Sequence, residues 1–174
     1  MYTFFEQAKH QDIKNIKTDA QTQVKLNTYL KFAINSQTLG LLESEFTKEV
    51  LTIKASHVIP VPNKPSCILG ILSRHRRVYW AVDLAMLLGF QHLDPNIRLY
   101  EVILISVQDL SLALIVPDIM GVVRLPSNNF ENDTFALPET LEPYQKGYIR
   151  DESKESMAYL LKVEHILQSA ILHS

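Results

Sequence analysis

Ile59-Pro60-Val61-Pro62-Asn63-Lys64-Pro65 opens the stretch that decides the fold. It runs on through Ser66-Cys67-Ile68-Leu69-Gly70-Ile71-Leu72 and Ser73-Arg74-His75-Arg76-Arg77 to Val78-Tyr79-Trp80-Ala81-Val82-Asp83-Leu84, ending near Gly89. Pro60, Pro62 and Pro65 each lack an N–H and fix φ, so the first piece is extended and lies outside any central strand. Cys67–Leu72 is a short apolar run. Gly70 inside it predicts a β-bulge or a close backbone approach. Arg74–Arg77 reads as a basic turn. Val78–Val82 is apolar throughout, the pattern of a strand covered on both faces. Asp83 is an N-cap for a short helix, Leu84–Leu88, with Gly89 at C′.

Outward from this stretch, strands dominate. Leu30, Phe32 and Ile34 alternate with Tyr29, Lys31 and Ala33, as in a half-buried strand. Asn35-Ser36-Gln37-Thr38 is turn chemistry, and Leu39–Leu42 completes a hairpin. Over 43–53, Phe46, Val50 and Leu51 are expected to face a core from a bulged strand, with Glu45, Lys48 and Glu49 outside. Glu101–Val107 and Leu110–Val116 form a second hairpin around Gln108-Asp109. Met120–Leu125 continues as strand after Pro117-Asp118. The stretch from Pro126 to Gly147 reads as surface, Tyr148-Ile149 as the start of a strand, and Met157–Val163 as the last strand. Val163, Ile166, Leu167, Ala170 and Ile171 have the spacing of an amphipathic C-terminal helix. Many short strands with little helix predict a mainly β protein of small barrels, in two comparable units without a detectable sequence repeat. Residues 1–25 are mostly polar and read as an N-terminal arm, and 26–174 as the folded domain.

Composition narrows the chemistry. The 174 residues are 47% hydrophobic and 21% charged with a net charge of −2. That is ordinary for a globular domain and leaves nucleic-acid binding to a local patch. Cys67 is the only cysteine, so no intrachain disulfide forms, and its apolar neighbours favour a buried thiol. The start lacks a basic segment followed by an apolar core, and no apolar run nears the roughly 20 residues of a membrane span, so a cytoplasmic protein without membrane insertion is expected. The six histidines form no HxxH pair, and the five glycines stand apart. No metal, phosphate loop, nucleophile elbow or cofactor is indicated. A binding module is therefore expected rather than an enzyme. A hydrolase with an unrecognised site is the remaining enzymatic reading.

The basic turn is the main charged feature. Arg74, His75, Arg76 and Arg77 followed by Tyr79 and Trp80 fit three readings. One is a solvated turn. Another is a protein-docking surface, where Arg, Trp and Tyr are favoured anchors. The third is a small-barrel nucleic-acid site in which cations grip phosphates and aromatics stack on bases.

Taken together, 26–172 resembles the CheW-like domain family. Tyr29-Leu30-Lys31-Phe32 resembles its opening strand, and Lys48-Glu49-Val50 its Val-x-Glu-Val segment. Ile59–Pro65 resembles its Pro-Asn-x-Pro element, Ile68-Leu69-Gly70-Ile71-Leu72 its Gly-Val-x-Asn-Leu approach, and Val82-Asp83-Leu84 its Val-x-Asp-Leu. Leu114–Val122 resembles a strand of the second barrel, and Tyr159–Leu167 the last strand and helix. The resemblance implies two packed, intertwined SH3-like five-stranded β-barrels with a C-terminal helix. It also implies a non-catalytic adaptor coupling methyl-accepting chemoreceptors to the regulatory domain of a CheA-type histidine kinase, with Glu49, Val50, Arg74, His75 and Arg76 as partner-binding residues. Core packing is the competing reading for Val50, and solvation for Glu49. Several positions depart from the family pattern. Ser73-Arg74-His75-Arg76 replaces Asn-Leu-Arg-Gly, Trp80 replaces a proline, Pro117-Asp118 replaces Val-Asp, and Lys162 stands where an aspartate is common. These point to a divergent member of a type IV pilus, twitching or phototaxis system.

Overall fold

The computed structural model describes residues 23–133, 137–151 and 155–173. Most of the expected arm, 1–22, lies outside them. The chain makes two five-stranded sheets. The first has the order β8-β1-β2-β10-β9 and the second β3-β6-β7-β5-β4. The first is built from β1 (Leu26–Ala33), β2 (Thr38–Glu43), β8 (Asp118–Pro126), β9 (Gln145–Asp151) and β10 (Ser156–Leu161). The second is built from β3 (Thr47–Lys54), β4 (Ile68–Arg74), β5 (Arg77–Asp83), β6 (Leu99–Val107) and β7 (Leu110–Val116). The expectation of a mainly β protein with two five-stranded units holds.

The two sheets share one wiring. In the second, the hairpin β6–β7 takes β3 antiparallel on one side, and the hairpin β4–β5 joins on the other through the parallel pair β5–β7. In the first, the hairpin β1–β2 takes β8 antiparallel, and the hairpin β9–β10 joins through the parallel pair β10–β2. Strands 8, 9, 10, 1, 2 thus stand where strands 3, 4, 5, 6, 7 stand. The first barrel has the circularly permuted strand order of the second and draws its strands from both early and late parts of the described residues. The likeness extends to backbone detail. Ile59, before β4, makes a reciprocal bridge with Ile71, and Glu131, before β9, makes one with Tyr148. Each bridge follows a bulge and a positive-φ glycine, Gly70 at 148° and Gly147 at 145°.

Alternation builds three cores. Leu39, Leu41, Ala158 and Leu160 point into the first barrel with Tyr29. Leu72, Tyr79, Val102, Leu104 and Ile115 fill the second. Residues of the opposite parity, including Leu30, Phe32, Leu42, Val82, Ile103 and Leu114, meet between the barrels. There they are joined by α1 (Leu84–Leu87) and α2 (Val163–Leu167). Each fully buried Leu, Ile or Phe side chain contributes on the order of 1.5–3 kcal/mol. The expected cap is present: Asp83 accepts from Met86 N at 3.3 Å, and Gly89 follows the helix with φ 83°.

Several expectations need correction. Val50 is not core: β3 alternates strictly, so Leu51 and Ile53 turn inward and Val50 stays 44% exposed. Val78 is 65% exposed, so β5 is covered on both faces only from Tyr79 onward. The 126–147 stretch is not all surface, because Leu141 is fully buried in the inter-barrel core. The C-terminal helix stops at Leu167, and a 3-10 turn spans Ala170–His173. The tighter turn changes the phase, so Leu172 is buried while Ile171 faces solvent.

Candidate docking site

In the second barrel the two end strands, β3 and β4, are not hydrogen-bonded to each other. Side chains close that seam. Glu49 lies one residue past the register shift of β3, and Arg74 is the last residue of β4. The Arg74 guanidinium donates to both carboxylate oxygens, through Nε to Oε2 at 3.3 Å and through Nη2 to Oε1. His75 Nε2 lies 3.1 Å from Oε2. One carboxylate is therefore held from two sides. A bidentate guanidinium fixes its plane as well as its position.

The turn that delivers these groups is tight. His75 and Arg76 have φ of 50° and 63°, the mirror-image geometry that matches the twist of a two-residue hairpin. Glycine or asparagine normally occupies such positions. Here side chains accept the conformation, and the turn brings His75 back over Glu49. Arg76 and Arg77 are exposed and make no ion pair among the described residues. Val50, next to Glu49, presents an apolar surface at the same edge.

Four of the five sequence-selected residues therefore come together around one carboxylate or beside it: Glu49, Val50, Arg74 and His75. Arg76 occupies the turn itself. The nucleic-acid reading loses its stacking group, because Tyr79 is buried in the second barrel's core. Trp80 is half-buried, with the Lys64 ammonium 5.3 Å from its ring centre, which ties the proline loop to β5. That contact has no sequence signal beyond the residue types, since 16 positions separate the partners in this numbering.

The Arg74 hydrogen bonds are the main cause that holds the Glu49 carboxyl below the ordinary glutamate range. Partial desolvation opposes them, and His75 adds to them. Glu49 in turn raises the Arg74 guanidinium. Since the folded carboxyl is depressed, the pair's contribution is present above the pKa of the unfolded chain and is lost as pH falls through the folded value. A carbon-detected titration should give a Glu49 midpoint below that of an unstructured glutamate, and Arg74→Ala should move it back up. An unchanged midpoint in that variant would contradict the pairing.

Burial pushes the Cys67 thiol up, and the side chain is buried, as expected of an inert cysteine. Among the described residues, no group of three or more His, Cys, Asp or Glu side chains is placed to hold a metal ion. No helix among them is long and apolar enough to cross a membrane.

The CheW-like domain family model matches residues 28–170. The crystal structure of the CheW scaffolding protein from Thermoanaerobacter tengcongensis superposes with a TM-score of 0.70 at 16% identity, covering 84% of this chain and 95% of that one. No curated protein matches the chain. With the family pattern running through both barrels, the chain belongs to the CheW-like domain family, whose members are non-catalytic scaffolds of chemotaxis-type signalling.

Proposed function

We propose that this protein couples a methyl-accepting chemoreceptor to the regulatory domain of a CheA-type histidine kinase in the cytoplasm. Glu49, Val50, Arg74, His75 and Arg76 form the docking edge. The supporting observation is the side-chain closure of the β3–β4 seam, where Arg74 and His75 grip Glu49 beside exposed Val50. A rigid charged cluster beside an apolar contact can set register through charge and affinity through burial. The free guanidinium groups of Arg76 and Arg77 favour an acidic rim on the partner. Coupling needs no chemistry: a scaffold that binds one receptor state better shifts the kinase it carries.

The output we propose is pilus-based surface motility. Its support is the turn, where Arg74-His75-Arg76 departs from the family's pattern in the docking segment. Deleting the gene should abolish twitching and leave any flagellar swimming intact, and the reverse outcome would assign it to swimming. Membrane sedimentation tests the coupling itself. The CheA-type kinase of the same cell should pellet with receptor-bearing membranes only when this protein is added. Pelleting that is indifferent to the protein would overturn the proposal.

A further inference from the structure

The shared wiring of the barrels makes their seams comparable and exposes a difference. In the first barrel the end strands are β8 and β9, again not hydrogen-bonded to each other. Counting three residues on from the bridged positions Ile71 and Tyr148 reaches Arg74 in one barrel and Asp151 in the other. Arg74 crosses its seam to Glu49 on β3. On β8, Gly121 stands opposite Lys31, and Asp151 lies across the seam from that level. It reaches past the seam to Lys31 on β1 at 2.6 Å, so the counterpart ion pair has reversed charges and sits one strand deeper.

Among the described residues the seam above it is open. A slot of about 370 Å³ runs between Val123 and Leu125 on β8 and Ile149 on β9, floored by Leu41 and Ala158, with the Lys31–Asp151 pair at its charged end. Its flanks are two strand edges. On β9 the outer edge is already used once: Glu131 exchanges both backbone hydrogen bonds with Tyr148, at 2.9 Å each. Residues two apart on a strand face the same way, so the amide and carbonyl of Arg150 turn toward the same side. The Arg150 side chain is exposed and makes no ion pair among the described residues.

We propose that this slot is a docking site for an extended segment of a partner protein, added as a strand against β9. Its inward positions are apolar and one outward position is acidic, opposite Arg150. An extended occupant is favoured because the edge already accepts one backbone partner, and because unpaired strand edges on both sides offer main-chain hydrogen bonds. The apolar floor selects the alternate side chains. This site is separate from the β3–β4 docking edge and does not depend on which kinase or receptor that edge serves.

The test titrates the ¹⁵N-labelled full chain with the blocked peptide Thr-Val-Glu-Val-Thr-Val-Thr. Saturable shifts are expected at the amides of Arg150, Ile149 and Val123. Val123→Arg should weaken binding by about tenfold or more, because it places a charge in the slot. Val122→Arg, one residue away and facing outward, should leave binding unchanged. If Val123→Arg loses the dispersed spectrum of a folded chain, Ile149→Lys tests the same slot from its other wall. A peptide N-methylated at its glutamate and its central valine keeps its side chains but loses the donors that would pair with β9 in either strand direction, and it should not bind. The absence of saturable shifts, full affinity in the folded slot variants, or equal binding of the N-methylated peptide would each overturn the proposal. The last would reduce the slot to an apolar hole.

Discussion

Gly70→Val is expected to unfold the protein or cost more than about 3 kcal/mol of stability, the range of a strained and overpacked buried site. Gly70 has φ 148°, where side chains are disfavoured. A Cβ there would also lie 2.1 Å from the Ile59 carbonyl oxygen and 2.6 Å from its carbon. These are backbone atoms, held by the reciprocal Ile59–Ile71 hydrogen bonds at 2.9 Å, so they cannot swing aside as a side chain would. Relief requires breaking that bridge, which detaches the proline segment from the second barrel. Gly121→Ala provides the contrast. It has φ 108° but nothing within 4 Å of its Cβ position, so it meets only backbone strain, on the order of 1–3 kcal/mol. Urea denaturation followed by circular dichroism separates the two. A Gly70→Val midpoint at or above that of Gly121→Ala would contradict the close approach.

Asp83→Ala has the next largest expected effect, about 2–4 kcal/mol. Asp83 is 1% exposed and its two oxygens serve different elements. Oδ1 caps α1 through Met86 N, and Oδ2 accepts from Leu93 N at 2.9 Å, pinning the loop that leads to β6. Alanine would leave two amides without their acceptor and would also release that loop. Asp83→Asn keeps one acceptor oxygen and should cost roughly half as much. Equal losses in the two variants would show that charge, not acceptor count, matters. The permuted copy indicates why the site is not general. At the equivalent entry to α2, Lys162 makes no side-chain cap, although its backbone N–H donates to Tyr144 O at 2.7 Å just as that of Asp83 donates to Cys67 O at 2.8 Å.

The features legible in the sequence were those that are local. Gly70 marked its bulge and close approach, Asp83 its cap, and Asn35–Thr38 its turn, because each depends on residues within a few positions. The docking cluster was legible only in part. Glu49 and Arg74 were each selected, but they lie 25 residues apart and meet through barrel closure, which no local pattern encodes. Val50 was open between core and surface because alternation along β3 can be read in either phase until pairing with β6 fixes which face turns inward. The permuted duplication left no sequence repeat for a physical reason. Its equivalence lies in strand order and in positive-φ glycines, while the side chains at matching places differ, as with Arg74 and Asp151 or Asp83 and Lys162. Leu141 was hidden because the apolar residues of this polar, proline-bearing stretch, Phe130, Leu137 and Tyr144 among them, follow no strand or helix period that would single it out.

The proposed docking through the Glu49–Arg74–His75 edge is tested by calorimetric titration with the regulatory domain of the CheA-type kinase from the same cell. The native chain should bind saturably. Glu49→Arg should bind at least about tenfold more weakly, because it removes the gripped carboxylate and sets a second guanidinium against that of Arg74. The variant should keep a cooperative melting transition, since the side chains involved lie at a partly exposed seam. No binding by the native chain, or equal binding by a folded Glu49→Arg chain, would contradict the account.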